Sequence, residues 1–228
     1  MGLRDSRTRV VDLAGANVLP GFNDAHAHVV YYGLTRFGAD LGGARSLAEI
    51  VQRLKAHGRT LKASEWQQGM GYRADELAER RQPHRRELDR ATGRRPAFID
   101  ERGGHSRVAN SAALAAAGVT SETPNPHGGR IGRDSDGTPN GLLLETAMRL
   151  VADVQPHAAF ERRKQGVLLA QRMLLSRGIT SVGAAVNRGF ADDLRAYVMA
   201  GAPEGMDTDE VLRRAEEFLA EAKSGLGE

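Results

Sequence analysis

The stretch that decides the fold is "VLPGFNDAHAHVV", residues 18–30, in which an apolar run leads directly into Asp24, His26 and His28. Alternate residues of a strand point to the same face, so His26 and His28 are predicted to project together, with Asp24 beside them if the strand extends that far. Neutral imidazoles are good zinc ligands, and two at this spacing can chelate one ion. The stretch therefore predicts a metal site at a strand end, where sites collect in α/β folds. A His-x-His pair alone is short, and the competing interpretation is a chance surface pair.

Composition is that of an ordinary globular protein, with 228 residues, 40% hydrophobic and 27% charged. The absence of cysteine excludes disulfides, thiolate metal ligands and cysteine nucleophiles. The N-terminus has no apolar segment typical of a signal peptide, and no apolar run approaches the ~20 residues of a membrane span. We therefore expect a cytoplasmic protein without a membrane partner.

The basic balance indicates a solvated surface rather than a nucleic-acid interface. The formal net charge is +3 and the pI is about 9.5, but the arginines alternate with acids, as in "RADELAERRQPHRRELDR", residues 73–90. A nucleic-acid surface usually needs a concentrated basic patch. We expect no nucleic-acid partner.

Periodicity and turn residues predict alternating strands and helices, and so an α/β protein. Residues 46–57 read as a helix capped by Ser46, with Glu49 three positions later. Further helices are predicted over 110–118, 156–177, 190–200 and 208–223. Two short strands are predicted within residues 9–22, and a further strand in "RRPAFIDE", residues 94–101. A hairpin is predicted across "SDGTPN", residues 135–140, and a buried strand in "GITSVGAAV", residues 178–186.

Several motifs, in one order, resemble a known family. "VLPGFNDAHAH" looks like the first barrel strand of the metal-dependent amidohydrolase superfamily. "GGHSRVANSAALAAAGV" and "GGRIGRDSDGTPNGLLLETA" are similar to its amidohydrolase 3, or YtcJ-like, group. The resemblance is collinear over about residues 8–225.

The resemblance implies a (β/α)8 barrel beside a small β-sandwich, and hydrolysis of non-peptide C–N bonds in amides, formamides or cyclic amides. It implies a divalent metal, with zinc the expected ion, that activates water. His26 and His28 match the two metal ligands of the family's first barrel strand. The expected partner is a small-molecule amide substrate, and assembly into a homo-oligomer stays open.

On this basis the chain divides into four parts. Residues 1–17 are a remnant of the β-sandwich, and 18–39 hold the first barrel strand and metal motif. Residues 40–145 form an α/β insertion over the barrel mouth, and 146–228 contain further, truncated barrel units. A complete barrel takes about 250 residues, so we expect only the N-terminal half of one.

The chain also departs from the family. The general-base aspartate of the last barrel strand is not in this chain, and no lysine ends a strand. Relatives often carry His-Asp where Gly183 and Ala184 stand. We therefore expect weak metal binding and negligible turnover from this chain alone. The alternative function is a non-catalytic remnant or binding module of the same scaffold.

Other candidate residues are few. His105 is the next best, as a substrate-binding residue over the barrel mouth, against a role in capping or packing the following helix. His127 lies in a Gly/Pro stretch and reads as an exposed loop residue. Asp100 and Glu101 are adjacent in a strand and face opposite sides, so they are not predicted to form an acid/base pair. Glu145 reads as a packing or helix N-terminal residue.

Overall fold

The computed structural model describes residues 8–184 together with 195, 196, 200 and 213, and this part of the chain is a mixed α/β fold. Its strands are β1 Phe22–Ala27, β2 Ala39–Asp40, β3 Gln67–Tyr72, β4 Ala97–Glu101, β5 Ser106–Ala109, β6 Gly129–Arg133, β7 Pro139–Glu145 and β8 Ile179–Ala184. Its α-helices are α1 Val29–Thr35, α2 Leu47–Gly58, α3 Arg85–Thr92, α4 Ser111–Ala116, α5 Arg149–Ala152 and α6 Phe160–Ser176. The strands form two separate sheets, one of six strands and one of two.

The six-stranded sheet, here called the insertion sheet, has the order β2-β3-β4-β5-β7-β6. Strands β2, β3 and β4 are parallel, whereas β5, β7 and β6 pair antiparallel. It carries two buried clusters, one against α2 and α3 and the other against α4 and α5. Ile99 and Leu143, both fully buried, represent the two clusters. The insertion sheet, together with α2 to α5, therefore has a core of its own.

Local sequence signals account for the helix starts and the hairpin of this sheet. The Ser46 Oγ accepts a hydrogen bond from the Glu49 backbone N–H at 3.2 Å, which confirms the predicted cap. The strand in "RRPAFIDE" is confirmed as β4, and the predicted hairpin is β6 with β7. The helix predicted over 110–118 is α4, capped by Asn110.

The second sheet, here called the strand pair, consists of β1 and β8 running parallel. Helices α1 and α6, which flank these strands in the chain, pack against each other through Gly33 and Gly166. A β-carbon at Gly33 would lie 2.1 Å from the Gly166 carbonyl oxygen, so glycine is required for this close approach. Gly33 of α1 therefore packs directly against the backbone of α6.

Three predictions about the edges of the fold need correction or fall outside it. Residues 8–21 contain the predicted turn at Ala14 and Gly15 but no strand, so the expected sandwich strand is not formed. An extended segment without a neighbouring strand leaves its backbone groups to water, and these residues are exposed. Strand β8 was predicted to be buried but is mostly exposed, because β1 is its one neighbour among the described strands. The helices predicted over 190–200 and 208–223 fall outside the described residues, apart from single positions.

Candidate functional site

The two histidines of the predicted metal motif come together at the end of β1. His26 lies in the strand, and His28 follows it as the residue before α1. Their ring centroids are 5.1 Å apart and the ring planes meet at 87°. Both residues are exposed. The strand end therefore presents two imidazoles side by side to the surroundings.

Asp24 has a local role. Its Oδ1 accepts a hydrogen bond from the His26 backbone N–H at 3.1 Å, and the pairing with β8 is irregular between Asp24 and Ala27. In residues 8–184 and the four described positions beyond them, no group of three histidine, aspartate or glutamate side chains is placed to hold one ion. The donor set suits a divalent metal such as zinc in ligand type, and it supplies two of the three protein ligands that catalytic zinc sites generally use.

Gly183 is the first of the two positions at which the family resemblance implies a His-Asp pair, and it has no room for a side chain. A β-carbon at Gly183 would lie 2.4 Å from the Ala25 carbonyl oxygen of the neighbouring strand. A glycine there lets β8 approach β1 at the level of the histidine motif. At Gly183 the chain therefore has a close contact between β1 and β8 in place of a polar side chain.

His105 forms a surface pair with a glutamate. Its Nδ1 lies 3.1 Å from Oε2 of Glu145, and the Glu145 backbone N–H donates to the His105 carbonyl at 3.0 Å. The His105 side chain is 78% exposed, so it does not pack against the following helix. Glu145 has φ +53°, a conformation that strains a residue with a β-carbon by about 1–3 kcal/mol. Nothing in the sequence signals this strain, and the pairing was not predicted.

Asp100 and Glu101 face opposite sides, as predicted from their adjacency. Asp100 is buried and accepts two hydrogen bonds from Arg107, Nε to Oδ1 at 2.7 Å and Nη2 to Oδ2 at 2.9 Å. The Tyr31 hydroxyl donates to the same Oδ2 at 3.3 Å. Burial and the nearby Asp100 carboxylate raise the pKa of Tyr31, so this phenol stays protonated.

Glu101 belongs to a different, polar network. Burial alone would raise its pKa, but hydrogen bonds from the Ser106 hydroxyl, the Ala74 backbone N–H and the Gln82 amide together lower the pKa of Glu101. The charged carboxylate therefore joins β4 to the three chain segments that contain Ser106, Ala74 and Gln82. This role is structural.

The remaining histidines are separate from the motif. His127 is exposed, as predicted for a loop residue. His84 caps α3 by accepting a hydrogen bond from the Arg86 backbone N–H, and its Nε2 contacts the Asp134 carboxylate at 3.2 Å. Sequence reasoning missed this cap because histidine is not among the usual N-cap residues.

Comparison with known proteins identifies the family. A sequence model described as the amidohydrolase family matches residues 9–224. The chain belongs to the amidohydrolase family. It is 34% identical over 183 residues to an N-substituted formamide deformylase of Arthrobacter pascens, covering 78% of this chain and 34% of the relative. It is 30% identical over 190 residues to a putative amidohydrolase YtcJ of Bacillus subtilis, covering 83% and 35% respectively.

The comparison with solved structures supports a hydrolase. The chain matches an uncharacterized metal-dependent hydrolase from Pyrococcus horikoshii with a TM-score of 0.55 and 29% identity, covering 79% of this chain and 33% of the other. The amidohydrolase chain described here thus spans about a third of the length of the relatives it matches. Among its described residues, no helix is long and apolar enough to cross a membrane.

Proposed function

We propose that this protein is a metal-dependent hydrolase of non-peptide C–N bonds, with an amide, formamide or cyclic amide as substrate. The observation that carries the proposal is the pair of imidazoles at the end of β1, with ring centroids 5.1 Å apart. Membership of the amidohydrolase family supports the reaction class. The name of the Arthrobacter relative, an N-substituted formamide deformylase, supports formamides as one substrate class.

The residues of this chain would act mainly by binding and orientation. His26 and His28 would hold the divalent ion, expected to be zinc, through neutral ring nitrogens. When bound, such an ion polarises a carbonyl oxygen and makes water nucleophilic near neutral pH. The Asp24 carboxylate, by accepting from the His26 backbone N–H, would fix the backbone that leads into the first ligand.

The finer architecture is part of the same proposal. Strands β1 and β8, parallel and linked through α6, would be the first two strands of a (β/α)8 barrel, with the insertion sheet between them in sequence. His105 would contact the substrate from that insertion, where its side chain is exposed. The lack of cysteine supports a reducing compartment, and we place the protein in the cytoplasm.

A specific observation favours the second candidate, a non-catalytic scaffold. The described residues offer two metal ligands without a third, which leaves an ion weakly fixed. On this alternative, the strand-end histidines would have no role in metal retention. The two candidate functions therefore differ in whether His26 and His28 retain a metal ion.

The test measures zinc retained after dialysis and formate released from N-benzylformamide. The wild-type chain is compared with His26→Ala/His28→Ala, and with His127→Ala as a control at an exposed histidine. We expect weak zinc retention and only trace, zinc-dependent formate release in wild type and in His127→Ala, and neither in the double variant. Equal zinc retention in all three chains would favour the scaffold.

A further inference from the structure

A cavity of about 150 Å³ lies between α1 and the insertion sheet. Tyr31, Leu34 and Thr35 line it from the helix, and Phe98 and Arg107 line it from the sheet. A cavity of about this volume accommodates a benzene ring. Helix α1 begins directly after His28, so Tyr31 is about one helical turn beyond the histidine motif. The helix that lines the cavity therefore follows the proposed metal ligands directly in the sequence.

Arg107, which lines this cavity, has one buried hydrogen-bond donor without a partner among the described residues. The side chain is 8% exposed, and its guanidinium carbon lies 3.7 Å from the centre of the Phe98 ring. Nε and Nη2 are both engaged by Asp100, but Nη1 is buried and has no hydrogen-bond partner among the described residues. A buried donor left without a partner is unfavourable by about 1–3 kcal/mol. An acceptor supplied from the cavity would remove that penalty.

The ion pair of Arg107 with Asp100 favours an uncharged acceptor over an anionic one as the ligand of Nη1. Asp100 already neutralises Arg107, so a second anion in this place would bring an unbalanced buried charge. An uncharged carbonyl oxygen can accept from Nη1 without that charge. The Asp100 oxygens have lone pairs left to accept an N–H from the same ligand. A carboxamide offers both groups, and the apolar part of the cavity suits a ring attached to it.

We propose that this cavity is a subsite for an uncharged carboxamide group carried on a small ring, held between Arg107 and Asp100. As a part of substrate recognition the subsite rests on the proposed hydrolase function, since α1 links it to His28. Binding of the carboxamide depends only on the cavity and needs no metal. The subsite and the hydrolase function can therefore fail separately.

The test is a titration of the metal-free 228-residue chain with benzamide, followed by ¹H–¹⁵N NMR, beside matched titrations with benzoate and toluene. Benzoate has the same ring but adds a negative charge, and toluene lacks the acceptor. We expect benzamide to bind with a dissociation constant of about 1–10 mM, shifting the amide signals of Tyr31 and Arg107. Benzoate and toluene are expected to bind at least about tenfold more weakly.

Two variants locate the binding. Thr35→Phe enlarges a side chain that lines the cavity and leaves the residues Arg107 and Asp100 unchanged, and it is expected to weaken benzamide binding at least about tenfold. Tyr32→Phe lies on the same helix outside the cavity and is expected to bind benzamide like wild type. Tighter binding of benzoate than of benzamide, no binding of benzamide at about 20 mM, or equal binding by Thr35→Phe would each overturn the proposal.

Discussion

The insertion sheet and the strand pair differ in the number of neighbouring strands and in how deeply their side chains are buried. The insertion sheet joins six strands and encloses two buried clusters, with side chains such as Ile99 and Leu143 fully buried. In the strand pair, β1 and β8 have one neighbour each within the described residues, and Phe22 remains 59% exposed. The candidate metal ligands stand on the less supported region. Stability and the proposed chemistry are thus carried by different parts of this chain.

This difference explains why the two regions are expected to respond differently to substitution. A packed sheet tolerates little change at buried, paired positions, because lost contacts are not replaced by water. Next to the strand pair, α1 contacts α6 where two glycines meet. The following predictions probe the two regions separately.

The largest effect is expected from Arg107→Ala in the insertion sheet. Removing the guanidinium leaves Asp100 buried without its partner, which should lower the free energy of unfolding by about 3–5 kcal/mol. Urea unfolding followed by the fluorescence of Trp66, the single tryptophan, which packs on this sheet, measures the change. Arg73→Ala, at an exposed ion pair, is the control and should change little. Equal losses in both variants would contradict the buried pair.

A smaller effect, confined to the strand pair, is expected from Gly33→Ala. The added methyl group would meet the Gly166 carbonyl oxygen, and such overpacking is unfavourable by about 1–3 kcal/mol. Hydrogen exchange should show lost protection in α1, α6, β1 and β8, while the insertion sheet keeps its protection. Gly103→Ala is the matched control, since no atom lies within 4 Å of its added carbon. An equal loss of protection in the strand pair and the insertion sheet would contradict the claim that the two regions respond separately.

The smallest effect concerns the pH dependence of the insertion sheet. The pKa of Glu101 is lowered in the folded chain, so its charge stabilises the fold above the unfolded pKa of about 4.3, and this stabilisation is lost as the pH falls through the folded value. Glu101→Gln should lower the free energy of unfolding by about 0.5–1 kcal/mol near neutral pH and by less in acid. Urea unfolding between about pH 6 and pH 3 measures the two curves. Parallel curves at all pH values would contradict the assignment.

The sequence predicted the insertion sheet better than the strand pair. The Ser46 cap, strand β4 and the β6–β7 hairpin follow from local signals and are confirmed. The burial of β8 and the sandwich strand within residues 1–17 depend on distant partners, which a local pattern does not supply. Neither is found in the part of the chain that the structure describes, which begins at residue 8.

In the candidate site, too, features set by local spacing were predicted and features set by distant partners were not. The period of a strand predicted that His26 and His28 lie together, and the short distance between their rings agrees with that geometry. Their role as metal ligands stays a prediction, as does the role of His105. The Arg107–Asp100 pair was not predicted, because a cross-strand partner depends on register rather than on spacing along the chain. The strained backbone of Glu145 likewise has no signal in its residue type.

The most direct test of the central claim is a zinc titration of the chain with ¹⁵N-labelled histidine, followed through the imidazole signals. We expect His26 and His28 to shift together and to reach saturation at one zinc per chain, while the exposed His127 and His157 keep their positions. A response from only one of the two rings, or an equal response from all exposed histidines, would contradict a shared metal site at the end of β1.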